Sequence, residues 1–309
     1  LSELESGKWD EIAKIIKINY TDKEHTEAAY EIDVSGKQIP LNYRGHEKKA
    51  KNIKGGIVMY EPPMPDAPDP TYINPLYITV YDSVLRQGGK GSSLAAVIVL
   101  KLFYHDLSTV QCNIVAEWYG RNESLDEDHE IAWKLATLYK SKLLPEINNT
   151  DILRHAKETS RWGKLQPKPK NALGDFKAGH KHYDVGVYVL PGMKPTLVAY
   201  LKELFNVVVD VKIAEADGEF TIKQVKMASM IPSIRVLDEA LQYGEGNFDA
   251  ISYMFLAALM YRNSVYLPVG GQQPDDEETF KTYRQFSKGS KAKQQKFIPH
   301  KIRHPAYDK

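Results

Sequence analysis

Three carboxylates stand where solubility alone does not explain an acid. Asp82 closes the apolar run "LYITVYD", Glu146 follows "KLLP", and Asp249 opens the apolar stretch of "GNFDAISYMF". Each lies at the boundary of an element that reads as buried. Gathered in one cleft, three carboxylates would repel one another unless a divalent cation offset their charge. Hard oxygen ligands suit Mg²⁺ or Mn²⁺, and two such ions roughly 4 Å apart can activate a water and stabilise the leaving oxygen of a phosphodiester. Each acid also has a plain structural reading, and taken singly that reading is the better one. Asp82 could hydrogen-bond the turn "SVLRQGG". Glu146, beside Pro145, could be solvated near a helix start, and Asp249, after Asn247, could favour a helix dipole. Only joint placement in one cleft would make them a site.

Other chemistries are excluded by their motifs. "GGKGSS" lacks the upstream glycine of a phosphate-binding loop, and Lys90 is followed by Gly91. Leu94 breaks a dinucleotide fingerprint. His129-Glu130 has no second histidine at zinc-protease spacing, and no Cys/His cluster has zinc spacing. A nucleophile elbow is missing. The single cysteine, Cys112, precludes an internal disulfide framework and fits a reducing compartment. No stretch is long and apolar enough to cross a bilayer, and no signal peptide is recognisable, so no membrane partner is expected.

The elements that must position the acids follow from patterning. "KWDEIAKIIKI" has apolar residues at helical spacing, "YEIDVSGKQIPLNY" suggests a short hairpin, and "HEKKAKNIKGG" reads as a basic linker. After the strand of "GIVMYEPP" and a proline-rich connector, "LYITVYD", "LAAVIVLKLFY" and "VQCNIVAEWYG" predict three strands with antiparallel spacing. "DEDHEIAWKLATLYKSKLL" predicts a helix with acids in its first turn, and "ILRHAKETSRW" another. "VGVYVL" predicts a strand and "PTLVAYLKELF" a helix begun by Pro195. "FTIKQVKMASMIPSIRVLDEALQY" and "NFDAISYMFLAALMYR" read as mostly helical. The expected fold is α/β: a ribonuclease H-like mixed sheet, an antiparallel three-strand meander plus parallel strands, flanked by helices.

The formal net charge of +1 conceals local asymmetry. Arg154, Lys157, Arg161, Lys164, Lys168, Lys170, Lys177 and Lys181 cluster after Glu146, with Trp162 among them. Arg86 and Lys90 follow Asp82, and Lys194 precedes Pro195. These residues are the candidate DNA-backbone contacts, although a lone lysine is ordinarily just solvated surface. Lys281, Arg284, Lys288, Lys291, Lys293, Lys296, Lys301 and Arg303 form a tail with no interspersed acid. It reads as a disordered arm for DNA or a protein partner, with a solubilising tail as the alternative.

The segments "GIVMYEPP", "YITVYDSV", "GGKGSSLAAVIVL", "VAEWYGRNESLDEDHEIAWKLATLYKSKLLPEINNT" and "IPSIRVLDEALQYGEGNFDAISYMFLAALM" together resemble the nuclease domain of a tailed-bacteriophage large terminase subunit. The resemblance covers roughly residues 56–262 and is weak across "VDVKIAEADGEFTIKQVKMA". It implies a ribonuclease H-like endonuclease that cuts concatemeric double-stranded DNA during genome packaging. Asp82, Glu146 and Asp249 would be catalytic and would hold Mg²⁺ or Mn²⁺, two ions in all. Some relatives carry a further Asp in the turn after the first, and "RQGGKGSS" has none. The resemblance also implies an ATPase motor domain in the same full-length polypeptide, with residues 1–55 as the connecting segment and 263–309 as a flexible tail. It implies portal and small terminase subunit as partners, and a packaging complex in the host cytoplasm. Two alternatives accompany this reading. One is another ribonuclease H-like enzyme, of the junction-resolvase or transposase type; the other is a non-catalytic DNA-binding or docking module.

Overall fold

The run Ala95–Leu100 is apolar at every position, and every one of its side chains is fully buried. A strand reads this way only when both faces of its sheet are covered, since alternation would leave one side polar. The computed structural model describes residues 13–41, 54–64, 76–84, 94–105, 109–169, 184–214, 220–243 and 249–265. Within them a seven-stranded sheet is built from β1 (Lys14–Tyr20), β2 (Ala28–Ile32), β3 (Ile57–Met59), β4 (Leu76–Asp82), β5 (Ala95–His105), β6 (Thr109–Gly120) and β7 (Lys142–Pro145). Their spatial order is β2-β1-β3-β6-β5-β4-β7.

Helices cover both faces. On one side lie α1 (Leu125–Leu138) and α2 (Asp151–Glu158). On the other lie α3 (Lys194–Asn206), α4 (Ile234–Leu241) and α5 (Asp249–Val265). Alternate residues of β5 serve the two cores: Ala96, Ile98, Leu100 and Leu102 face α3–α5, while Ala95, Val97 and Val99 face α1 and α2. Ser124 caps α1 by accepting from the Glu127 N–H, and Asp126, Glu127 and Asp128 lie in the first turn, where the helix dipole favours them. The stretch Tyr253–Tyr261 of α5 is buried throughout, as befits a helix wedged between a sheet and two other helices.

The α/β class and mixed sheet agree with expectation, but the sheet is not a three-strand meander with several parallel strands. Its antiparallel part has six strands, because β3 pairs with β6 and carries β1 and β2 with it. Among the described strands the single parallel pair is β4–β7. Four local assignments also change. "KIIKINY" is a strand, since Ile16 and Ile18 are buried with exposed lysines between and before them, a period of two rather than 3.6. The end of the predicted α1 helix, "KLLP", is β7. "VGVYVL" forms only isolated bridges at Val185 and Val187. "FTIKQVK" is β9 (Phe220–Lys226), which pairs with β8 (Val208–Ala214) in a separate two-stranded sheet. A 3₁₀ turn at Met227–Met230 then precedes α4. No described helix is long and apolar enough to cross a membrane.

Candidate functional site

Register decides which side chains meet at the end of β4. Ile78 and Val80 face the core beneath α3–α5, so Asp82, two residues on, belongs to the same face. On β7, Leu144 faces that core and Glu146 follows it in the same sense. Tyr81 lies opposite Pro145 in the parallel ladder. One step further, the strands set Asp82 beside Glu146. The Glu146 N–H donates to the Tyr81 carbonyl at 2.7 Å, and the two carboxyls share a side-chain hydrogen bond. Two carboxyls can bond only with a proton between them. Burial pushes Glu146 up to about 7, while the bond to Asp82 and the charge of Lys194 pull it down. Near neutral pH the pair therefore holds a proton and titrates as a unit.

The surrounding backbone fixes this pair. The Asn149 side chain donates to the Val84 carbonyl at 3.1 Å. Asn148 donates to the Val189 carbonyl and accepts from the Val189 N–H, at 2.9 and 2.8 Å. The Val187 N–H donates to Pro145 O at 3.0 Å, and the Ile147 N–H to Val187 O at 2.8 Å. Gly186 sits between these bonds with φ at +69°. A Cβ there would come within 2.9 Å of the Pro145 carbonyl and 2.6 Å of Ile147. Only glycine meets both conditions.

Asp249 is the first residue of α5, and its side chain lies outside the described ones. The helix start can still be located. Tyr253 donates to Glu117 at 3.4 Å, and Glu117 lies opposite Ile98, itself opposite Val80. That row is two residues in from the row of Asp82. Far along α5, Arg262 bonds Glu203 near the end of α3, whose first residue is Lys194. Both helices thus begin at the end of the sheet where Asp82 and Glu146 sit. Among the described side chains, no group of three or more His, Cys, Asp and Glu is arranged to hold a metal ion. The pair supplies hard oxygen donors of the kind Mg²⁺ and Mn²⁺ prefer.

The basic candidates fall in different settings. Lys194 is exposed and close enough to act on Glu146. Arg154 is bound to Asp126, Asp151 and Glu158 on the outer side of α2. The Lys157 ammonium lies 4.9 Å from the centre of the Trp162 ring. Arg161 is buried and bonded to Glu130 at 2.6 Å and to His25 at 2.7 Å. Lys164 donates to the His25 carbonyl at 3.2 Å, and Lys168 is half-buried. Arg86, Lys90, Lys170, Lys177, Lys181 and the basic tail lie outside the described residues.

Two polar networks were not singled out from sequence. On the α1 side, Tyr81 and His129 are bonded at 2.9 Å, His129 and His155 have ring centres 5.3 Å apart, and His155 lies 3.3 Å from Glu130. Burial, with His155 second, depresses His129 to about 4. On the other face, Glu117 accepts from Tyr60 at 2.6 Å, and burial raises its proton affinity against Ser233, Tyr60 and Arg235. One signal was available: Glu117 interrupts the apolar face of "NIVAEWYG" at an inward position. Comparison with protein-family models, curated proteins and solved structures finds no match to this chain.

Proposed function

We propose that this chain is a divalent-metal-dependent DNA endonuclease with a ribonuclease H-like core, of the kind that forms the nuclease domain of viral large terminases. The observation that supports the reading is the register of β4 and β7, which seats two carboxylates from distant parts of the sequence side by side. Proteins rarely place two acids in hydrogen-bond contact unless a proton or a cation separates their charges. Asp82 and Glu146 would supply oxygens to Mg²⁺ or Mn²⁺, and Asp249, at the start of α5, is the third ligand in this reading. Bound there, two such ions would provide an activated water and stabilisation of the leaving oxygen. Lys194, exposed beside Glu146, would hold a backbone phosphate of double-stranded DNA, and Lys157, Lys164 and Lys168 would extend that contact with little sequence preference. A linked ATPase motor, a portal and a small terminase subunit are the partners this reading carries.

The test is incubation of the chain with supercoiled plasmid and Mn²⁺ or Mg²⁺. Asp82→Ala, Glu146→Ala and Asp249→Ala should each reduce cutting by at least about a hundredfold. Alanine variants that cut as fast as the parent would overturn the assignment. A strong preference for four-way junctions over linear duplex would overturn the packaging role and keep the chemistry.

A further inference from the structure

A second concavity lies one strand over from the acid pair, with β5 intervening between β6 and the strand that carries Asp82. It is a cleft of about 280 Å³ between residues 38–41 and the start of α4, floored by β3 and β6. That space is several times the volume of a water molecule.

Arg235 governs its chemistry. The residue is 6% exposed, and its guanidinium lies 4.3 Å from the centre of the Tyr119 ring. One terminal nitrogen, Nη2, donates to the carbonyls of Ile39 and Pro40 at 2.5 and 2.9 Å. The other, Nη1, is buried without a hydrogen-bond partner among the described residues. A buried cationic donor left unmatched is costly, and such atoms are rare in folded proteins. Glu117, which also lines the cleft, is 8% exposed and engaged by the hydroxyls of Tyr60 and Tyr253. The rim has the opposite character: Leu41 and Ile234 line the opening and are 41% and 48% exposed.

We propose that this cleft binds a small monocarboxylate carried on an apolar body, its carboxylate accepting from Arg235 Nη1 and its body lying between Leu41 and Ile234. Arginine matches carboxylate geometry and stays charged when buried. A phosphate would call for several converging donors, whereas one guanidinium nitrogen remains. A neutral amide would satisfy the hydrogen bond but add no negative charge beside the guanidinium, near which the buried Glu117 lies. An apolar rim with one polar anchor at the base is the usual form of a small-molecule pocket. The inference stands independently of the nuclease reading.

The experiment uses the whole chain with benzoate and benzamide as probes, followed by saturation-transfer NMR and calorimetric titration. Benzoate should bind saturably and at least about tenfold more tightly than benzamide, the margin expected when a hydrogen bond gains a charge. Arg235→Met should weaken benzoate by at least about tenfold. Since Arg235 also holds the 39–40 carbonyls, that variant could fail to fold. Ile234→Trp, at the exposed rim, then decides: it should block benzoate while melting like the parent. No saturable benzoate binding, equal affinity for benzamide, or unchanged affinity in Ile234→Trp would each overturn the proposal.

Discussion

Glu146 holds its proton to about pH 7 because burial disfavours its charge. A divalent cation prefers the ionised form, so Mn²⁺ bound at the proposed site near neutral pH would have to expel that proton. Titrating Mn²⁺ calorimetrically in two buffers of different ionisation enthalpy should reveal release of up to about one proton per site at pH 6.5. Glu146→Gln should abolish the release and weaken binding. Equal heats in the two buffers would contradict the coupling. Gly186 permits a second residue-scale prediction. Gly186→Ala would place a methyl group against the Pro145 carbonyl at a backbone angle that alanine resists. It should cost about 1–3 kcal/mol in denaturant unfolding and displace β7. If stability is unchanged, the segment carrying Val185 and Val187 is not pressed against that strand.

At the scale of elements, what sequence could and could not disclose follows from the range of the interactions. β4, β5 and β6 were legible because their apolar runs are long and bounded by turns, and α5 because its apolar run is longer still. "KLLP" was absorbed into the preceding helix because four residues carry no period of their own. It becomes a strand only because β4 offers an open edge. "FTIKQVK" failed for a related reason: it pairs only with β8, and Ile222 stays exposed, so no buried face announces it. The acids at 82 and 146 were legible as candidates because each follows an apolar run at the end of an element. Glu117 left a signal as the one acid on an apolar face, but Arg235 left none, since an interior arginine looks like any other until the carbonyls that accept from it are in place.

For the whole molecule, two buried groups impose opposite pH dependences. His129 ordinarily titrates near 6.5, but in the fold it resists protonation down to about 4. The unfolded chain takes up that proton first, so stability falls as pH drops from about 6.5 towards 4. Glu146 behaves inversely: the fold retains its proton from 4.5 up to about 7. Stability therefore declines as pH rises through that interval, in the absence of divalent cations. Melting curves in chelator across this range should show a maximum between the two limits. Glu146→Gln should flatten the upper side, and His129→Gln, which keeps an amide for Tyr81, the lower, each by about 1–3 kcal/mol. Coincident profiles for parent and variants would refute both assignments.

β7 is the last strand in the order of the sheet, and among the described residues only scattered bridges at Leu165 and Val187 lie beyond it. Short marginal strands are the first to come away under stress. Amide hydrogen exchange should therefore be faster at Leu143–Glu146 than at Val97–Leu100. Mild urea should silence any chemistry that needs Glu146 before the rest of the protein melts. One half of the acid pair is anchored inside the sheet and the other at its margin, so anything that grips or loosens that margin would move the two acids relative to each other without touching either.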